Sequence, residues 1–311
     1  MRPFAILSND GCAFDASLRQ RFGVDKIFLG NITYPDGHSE KADPEYARMS
    51  PEAYFGSMNK KGGMFKTAAA NIDEIEAAME EVAAAGKDIL CIVISAALSG
   101  TYNFSLKAAE RVKEKHPECE IVVIDSRRYS TALGLLLVEA NELRTQGKTL
   151  QETAAWIEEN KSCFHQIGIM DDLFFLARAG RISKAKAFMG NLVGVEPMAD
   201  FAANGLSEVI GKGKGKRKSL LAAAEYVKQT IVEPEKHVLF VCHSLRPQEA
   251  EFLKEAILKL VQPKDVIISI VDQTSGANMG PGLAAAFYYG KPLSEGLSEE
   301  KALLANILGQ K

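Results

Sequence analysis

The sequence predicts a two-domain α/β protein: an N-terminal domain on a parallel sheet, then a C-terminal domain on a mixed sheet. Three observations carry this. The chain has 311 residues, and domains typically take about 100–200. Through its first half, short apolar runs alternate with longer amphipathic ones, the βαβαβα order of a parallel sheet. After "TLQETAAWIEENKSC" that alternation gives way to hairpin-like runs. The boundary is placed near residue 160, giving domains 1–160 and 161–311.

"FAILSND" reads as the first strand and "KIFLGNITY" as the second, ended by the turn "PDG". "MSPEAYFGSMNKKG" starts as a helix, with Ser50 as N-cap and Pro51 at the first helical position. In "NIDEIEAAMEEVAAAGKD" the apolar residues Ile72, Ile75, Met79 and Val82 recur at helical spacing, and Gly86 reads as the C-cap. "DILCIVISA" is a continuous apolar strand, the pattern of a strand buried on both faces. Helix "SGTYNFSLKAAERVKEKHP" stops at Pro117, and strand "CEIVVIDS" and helix "STALGLLLVEANELRTQG" follow.

In the second half "FHQIGIM" reads as a strand, and "DDLFFLARAGRIS" as helical up to Ala179–Gly180. A short apolar helix and a hairpin turning at Ala203–Gly205 come next. Helix "SLLAAAEYVKQTI", strand "HVLFVCHS", helix "RPQEAEFLKEAILKLV" and strand "DVIISIVD" lead to the tail "SGANMGPGLAAAFYYG". That tail reads as a second glycine-rich loop between strand and helix. The basic cluster "GKGKGKRKS" reads as a solvated turn or as a docking patch for an acidic or phosphorylated partner.

Composition narrows the function classes. The chain is 47% hydrophobic and 25% charged, with a formal net charge of -3, so overall charge gives no sign of nucleic-acid binding. Five scattered cysteines, Cys12, Cys91, Cys119, Cys163 and Cys242, form no C-x-x-C pair and read as buried thiols. The apolar part of "MRPFAILSND" is too short for a signal peptide, and no apolar run approaches the roughly 20 residues that cross a bilayer. A cytoplasmic location is the resulting expectation.

The chemistry turns on Ala97-Leu98-Ser99-Gly100-Thr101, at the junction of a strand and a helix. As a nucleophile elbow it lacks the G-x-S-x-G pattern. Of five histidines only His165 and His243 lie in apolar, strand-like settings where a base for Ser99 would be sought. A nucleotide site lacks its motif, since there is no G-x-x-x-x-G-K-[ST] loop and no G-x-G-x-x-G after a strand. Asp171-Asp172 is an adjacent acidic pair without the His/Cys spacing of a metal site, and reads as a helix cap. What remains is anion holding. Ser99, Gly100 and Thr101 would lie at a helix N-terminus, with its unpaired N–H groups and partial positive charge, outside the carboxyl end of a strand. Capping alone also accounts for Ser99.

At these residues the sequence resembles the DegV family of bacterial fatty-acid-binding proteins, over essentially the whole chain and in the family's motif order. "FAILSND" stands at a Thr-Asp-Ser-like signature, and Thr67 at the start of a "TSQPS" motif. "SAALSGTYNFS" matches "SSxLSGTYQS", and "VIDSRRYSTALGLLLVEA" the strand and helix after it. "LARAGRIS" matches "LKKGGRIS", "NLVGVEPM" matches "LLxIKPI", "GKGKGKRKSLLAA" a basic stretch, and "SGANMGPGLAAAFYYG" matches "GAHTGPGALGLAYYG".

The resemblance implies a DegV-like fold and a non-enzymatic carrier of one long-chain fatty acid, with the tail buried in one domain and the carboxylate at the inter-domain cleft. It implies Thr67 and Ser99 as the carboxylate-holding hydroxyls and Arg181 as a further ligand. Gly100, Thr101, Asn278 and Gly280 complete the expected binding set. Phe174, Phe175, Leu176, Phe188, Met189 and Leu192 would line the tail pocket. In some bacteria such proteins present the acid to a separate kinase that makes the acyl phosphate, so a kinase catalytic subunit is the expected partner. Lys216, Arg217 and Lys218 would dock it. Transient contact with a membrane surface is compatible, and neither a metal nor a cofactor beyond the bound acid is expected. The alternative is a small-molecule enzyme, a hydrolase or phosphoryl-transfer enzyme using the same Ser99/Thr101 cleft. Departures from the family pattern are Asn278 for its histidine, Met279 for its threonine, "TAAAN" for "TSQPS", and Asn9 where an aspartate is usual. An asparagine still donates a hydrogen bond but carries no charge and exchanges no proton.

Overall fold

The computed structural model describes residues 2–58, 61, 64–171, 173–182 and 194–310. Its first sheet has four parallel strands in the order Lys26–Phe28, Phe4–Asn9, Asp88–Val93 and Ile121–Asp125. The two central strands are buried at every position, as their unbroken apolar runs require. Its helices are locally determined. Ile72–Ala84 begins at a capping box in which Asn71 and Glu74 bond reciprocally, and it buries Ile75, Met79, Val82 and Ala83. Beside it lies Thr101–Lys115.

The second sheet is mixed. Asp265–Ile270 and Val238–His243 are parallel, and Leu283–Tyr289 runs antiparallel between Val238–His243 and Phe164–Met170. The hairpin Val195–Phe201/Ser207–Lys214 packs beside Phe164–Met170. Between the sheets lies the helix Thr131–Thr145, buried at every position from Thr131 to Ala140 and touching strands of both. A helix apolar all round is an interior helix, and one continuous core runs from Ile6 and Leu90 through this helix to Phe240 and Phe287. Gly134 allows the close approach: a Cβ there would lie 2.7 Å from the Cys12 carbonyl oxygen and 2.6 Å from the Phe14 ring.

Three segments differ from the sequence reading. "KIFLGNITY" is two strands, because the chain leaves the parallel sheet after Phe28. Asn31–Thr33 instead pairs with Ser39–Lys41 and Lys66–Ala68 in a small antiparallel sheet. Gly30 makes the switch, its Cα so close to the Ala68 carbonyl that a Cβ would meet it at 2.5 Å. "SGANMGPG" has the opposite polarity to that expected: Gln273–Met279 is helix, N-capped by Asp272, and Gly280 and Gly282, both at positive φ, turn it into the strand Leu283–Tyr289. The basic cluster is not a turn. Gly211 to Lys214 belong to a strand and Lys216 opens a helix, with Gly215 alone between them. The alternation of Gly and Lys is a strand period, and its glycines lie under close neighbours, Gly211 beneath Leu304 and Gly213 beneath Ser219. Leu304 belongs to the terminal helix Ser298–Ile307. The expected apolar helix near residue 188 falls outside the described residues. No helix among the described residues is long and apolar enough to cross a membrane.

Candidate functional site

A cavity of about 480 Å³ opens where the carboxyl end of the first sheet, the small sheet and the helix Gln273–Met279 converge, within the range of small-ligand sites. Thr67, Ser99, Gly100, Thr101, Arg181 and Asn278 all line it, although they come from segments far apart in the chain.

Ser99 follows a tight turn after the strand Asp88–Val93. The Ser95 N–H donates to the Arg128 carbonyl, and the N–H groups of Leu98 and Ser99 donate back to the Ser95 carbonyl. Gly100 is the N-cap of the helix Thr101–Lys115. The Ser99 Oγ accepts the Thr101 N–H at 3.3 Å and pairs with the Thr101 Oγ1 at 2.8 Å. Ser99 is therefore not the cap of this helix; it sits one residue before the N-cap, bonds the first helical residue from there, and lines the cavity. A helix start leaves its first N–H groups without partners in the helix, which places donors at this wall.

The facing wall is a chain of hydrogen bonds. The Asn278 Nδ2 donates to the Thr67 Oγ1 at 3.3 Å and to the Thr274 carbonyl at 3.0 Å. The Thr274 hydroxyl donates to the Asp10 Oδ2 at 2.6 Å, which also accepts the Gly30 N–H at 3.2 Å. This chain ties the small sheet and the helix to the carboxyl end of the first strand. On the third side, the Arg181 guanidinium donates to the carbonyls of Leu98, at 3.2 Å, and Ala179.

Two buried carboxyls lie in this region, Asp10 in the cavity wall and Asp272 on the separate groove that His243 borders. Asp10 is 5% exposed, and burial raises its pKa above the ordinary aspartate value, opposed by its hydrogen bonds from Thr274, Gly30 and Asn9. Asp272 is pushed up to about 7, chiefly by burial; hydrogen bonds from Ser275 oppose the rise, and the Asp10 charge adds to it. Its Oδ1 caps the helix through the Ser275 N–H at 2.7 Å, while its Oδ2 has no hydrogen-bond partner among the described residues.

Leu98, Phe104, Leu176 and Met279 make much of the remaining wall apolar. A smaller cavity of about 30 Å³ adjoins it, sharing Tyr129, Leu176 and Met279 and running on between the second sheet and the hairpin. Of the expected tail residues, Leu176 faces both cavities, Phe175 is buried beneath Gly280, and Phe174 is half-buried beside it. Phe188, Met189 and Leu192 lie outside the described residues. Gly280 lines neither cavity. Away from the site, Lys216 pairs with Asp171 at 2.8 Å, the Arg217 guanidinium stacks 4.7 Å over Phe252, and Lys218 borders a surface groove with Leu221 and Ile307.

No histidine lines the cavity among the described residues. His165 is held by Asp200 and the Lys291 carbonyl, each at 2.7 Å, and His243 borders a separate groove. All five cysteines are buried and unpaired. Among the described residues no group of His, Cys, Asp or Glu is arranged to hold a metal. Sequence reasoning missed Asp10 and Thr274. Asp10 had a signal, since it directly follows the first strand at the sheet edge where α/β proteins bind ligands. Thr274 had none, because its role depends on the polarity of a segment read the other way round.

A family model described as an uncharacterised protein of the DegV family matches residues 27–291. The DegV domain-containing protein CPE0026 of Clostridium perfringens is 32% identical over 290 residues, covering 93% of this chain and 98% of that protein. Among solved structures, a DegV-family protein of Ruminococcus gnavus refined with vaccenic acid superposes with a TM-score of 0.81 at 18% identity, covering 91% of this chain and 99% of the other. A DegV lipid binding protein from Thermotoga maritima gives 0.79 at 21%, covering 93% and 100%. The Streptococcus pneumoniae Fatty Acid Kinase (Fak) B3 protein loaded with linoleic acid gives 0.77 at 21%, covering 93% and 100%. At such identities the likeness establishes the fold.

Proposed function

The chain belongs to the DegV family, and we propose that it binds one long-chain fatty acid, with the carboxylate in the cavity beside Ser99 and Thr67 and the tail running into the apolar side. The observation that carries this is the make-up of that single cavity. Hydroxyls, amide donors and one guanidinium gather in it from four separate segments, and Leu98, Phe104, Leu176 and Met279 give it an apolar side. Each tail methylene taken from water contributes about 0.8 kcal/mol. The head group must then be hydrogen-bonded, because an unpaired buried charge is costly. The Ser99 and Thr67 hydroxyls, the first N–H groups of the helix Thr101–Lys115, Arg181 and Asn278 supply those bonds. In this reading the head-group wall draws on residues 1–160 and 161–311 alike, and the tail pocket belongs to 161–311.

The chain is a carrier rather than a catalyst, and it presents the acid to a partner kinase through the basic face at Lys216, Arg217 and Lys218. The Fak B3 likeness supports this step. Native mass spectrometry of the protein purified from a bacterial host tests the ligand. A co-purified mass in the C14–C18 fatty-acid range is expected. An empty cavity that also fails to take up added fatty acid overturns the assignment.

A further inference from the structure

Among the described residues lining the cavity, Arg181 is the one cation and Asp10 the one carboxyl. The cation is already engaged by two backbone carbonyls. The carboxyl is almost wholly buried, held on Oδ2 by Thr274 and Gly30, and part of the chain of hydrogen bonds that ends at Thr67. A carboxylate ligand entering here meets a second carboxyl in a confined space. Two like charges sharing such a site do not both ionise; one retains its proton, and the proton belongs to the pair.

Among the described residues, the other charged groups around Asp10 do not supply a compensating cation. On its own segment is Cys12, a buried thiol. The helix Gln273–Met279 brings Asp272, a second carboxyl. Near Gly30, Lys41 bonds the Leu29 carbonyl and pairs with Glu74 at 2.5 Å, and Asp43 accepts the N–H groups of Glu45 and Arg48. The helix Thr131–Thr145 packs on this segment through Gly134, and its Glu139 is paired with His237 at 2.8 Å.

We propose that Asp10 and the carboxyl group of the ligand hold one proton between them, so that the cavity takes up a proton from solvent together with the acid. This rests on the fatty-acid reading above. Asp10 is then a specificity residue. It favours a head group that shares or donates a proton, such as a carboxylic acid or an alcohol, over an obligate anion such as a sulfonate, and it makes fatty-acid affinity fall as pH rises.

Titration calorimetry of the full chain with dodecanoic acid, in two buffers of different ionisation enthalpy, counts the protons directly. The wild type is expected to take up close to one proton per acid near pH 7. Its Kd should rise by up to about tenfold per pH unit between pH 6 and 8, the slope of one linked proton. Asp10→Asn should bring the count close to zero and flatten the profile. Dodecanol should bind the wild type with no net proton uptake, and dodecyl sulfonate should bind Asp10→Asn more tightly than the wild type. Wild-type binding of dodecanoic acid with no proton uptake and a flat profile overturns the proposal and leaves the fatty-acid reading standing, even if the variant does not fold. So does an unchanged proton count in Asp10→Asn. No binding of dodecanoic acid at any pH overturns the fatty-acid reading itself.

Discussion

Thr67→Ala and Ser99→Ala should separate head-group binding, proposed for both hydroxyls, from the hydrogen bond that Ser99 alone makes at a helix start. Among the described residues the Thr67 hydroxyl accepts from the Asn278 side chain, whose Nδ2 keeps the Thr274 carbonyl when Thr67 is truncated. Ser99 also accepts the Thr101 N–H at the start of a helix. A hydrogen bond to a charged group contributes about 1.5–3 kcal/mol, and 1.4 kcal/mol is about tenfold in Kd. Arg181, Asn278 and the helix N–H groups remain, so each single variant should weaken fatty-acid binding by roughly tenfold, near the lower bound. Both hydroxyls act on one carboxylate, and the double variant should lose about a hundredfold. Losing that hydrogen bond at the helix start costs about 1 kcal/mol, so Ser99→Ala should also lower Tm by a few degrees, while Thr67→Ala leaves it nearly unchanged. The assay is calorimetric Kd for dodecanoic acid beside a thermal melt. A double variant that binds within twofold of the wild type refutes the head-group assignment. A Tm loss in Thr67→Ala as large as that in Ser99→Ala refutes the division of roles.

Gly134→Ala places a methyl against the Cys12 carbonyl and the Phe14 ring in the helix shared by both sheets; overpacking of this kind costs about 1–3 kcal/mol, read as a lowered urea midpoint. For Asp272 the folded pKa, about 7, lies above the ordinary aspartate value of 3.8. The folded state therefore holds a proton that the unfolded state has lost, and stability falls as pH rises from about 4 to about 7, by up to roughly 1.4 kcal/mol per unit. Asp272→Asn keeps a capping oxygen and should gain on the wild type steadily over that window in urea melts; a constant difference counts against the assignment. Arg217→Glu with Lys218→Glu should leave the Kd for dodecanoic acid within twofold while lowering acyl-phosphate formation by a fatty acid kinase catalytic subunit, and unchanged turnover removes this face from the docking model.

Strands and helices determined by their own composition were legible in the sequence. "DILCIVISA" is continuous in apolar character and becomes a central strand, and "NIDEIEAAMEEVAAAGKD" carries its own capping box and buried stripe. Elements whose form depends on a distant partner were not. The small sheet exists because Lys66–Ala68 returns to Asn31–Thr33 from more than thirty residues away, and "KIFLGNITY" alone carries no sign that Gly30 must pass close under Ala68. "GKGKGK" reads as a turn partly because the residue that needs Gly211 bare, Leu304, lies far along the chain.

The same distinction explains the site. Ser99, Gly100 and Thr101 owe their placement to a local strand-to-helix junction, and motif order alone brought Thr67, Arg181 and Asn278 alongside them. Asp10 escaped because an aspartate after a strand reads as an ordinary turn residue until Thr274, 264 positions away, is seen bonding to it. A buried carboxyl facing donors is an expensive arrangement when empty. Thr274, Gly30 and Asn9 offset part of that cost through hydrogen bonds to the Asp10 carboxyl. A ligand that shares a proton with Asp10 offsets more of it, and a permanently charged one adds to it. The residue that composition and motif left unmarked is therefore the one that sets which head groups this cavity accepts and at what pH it releases them.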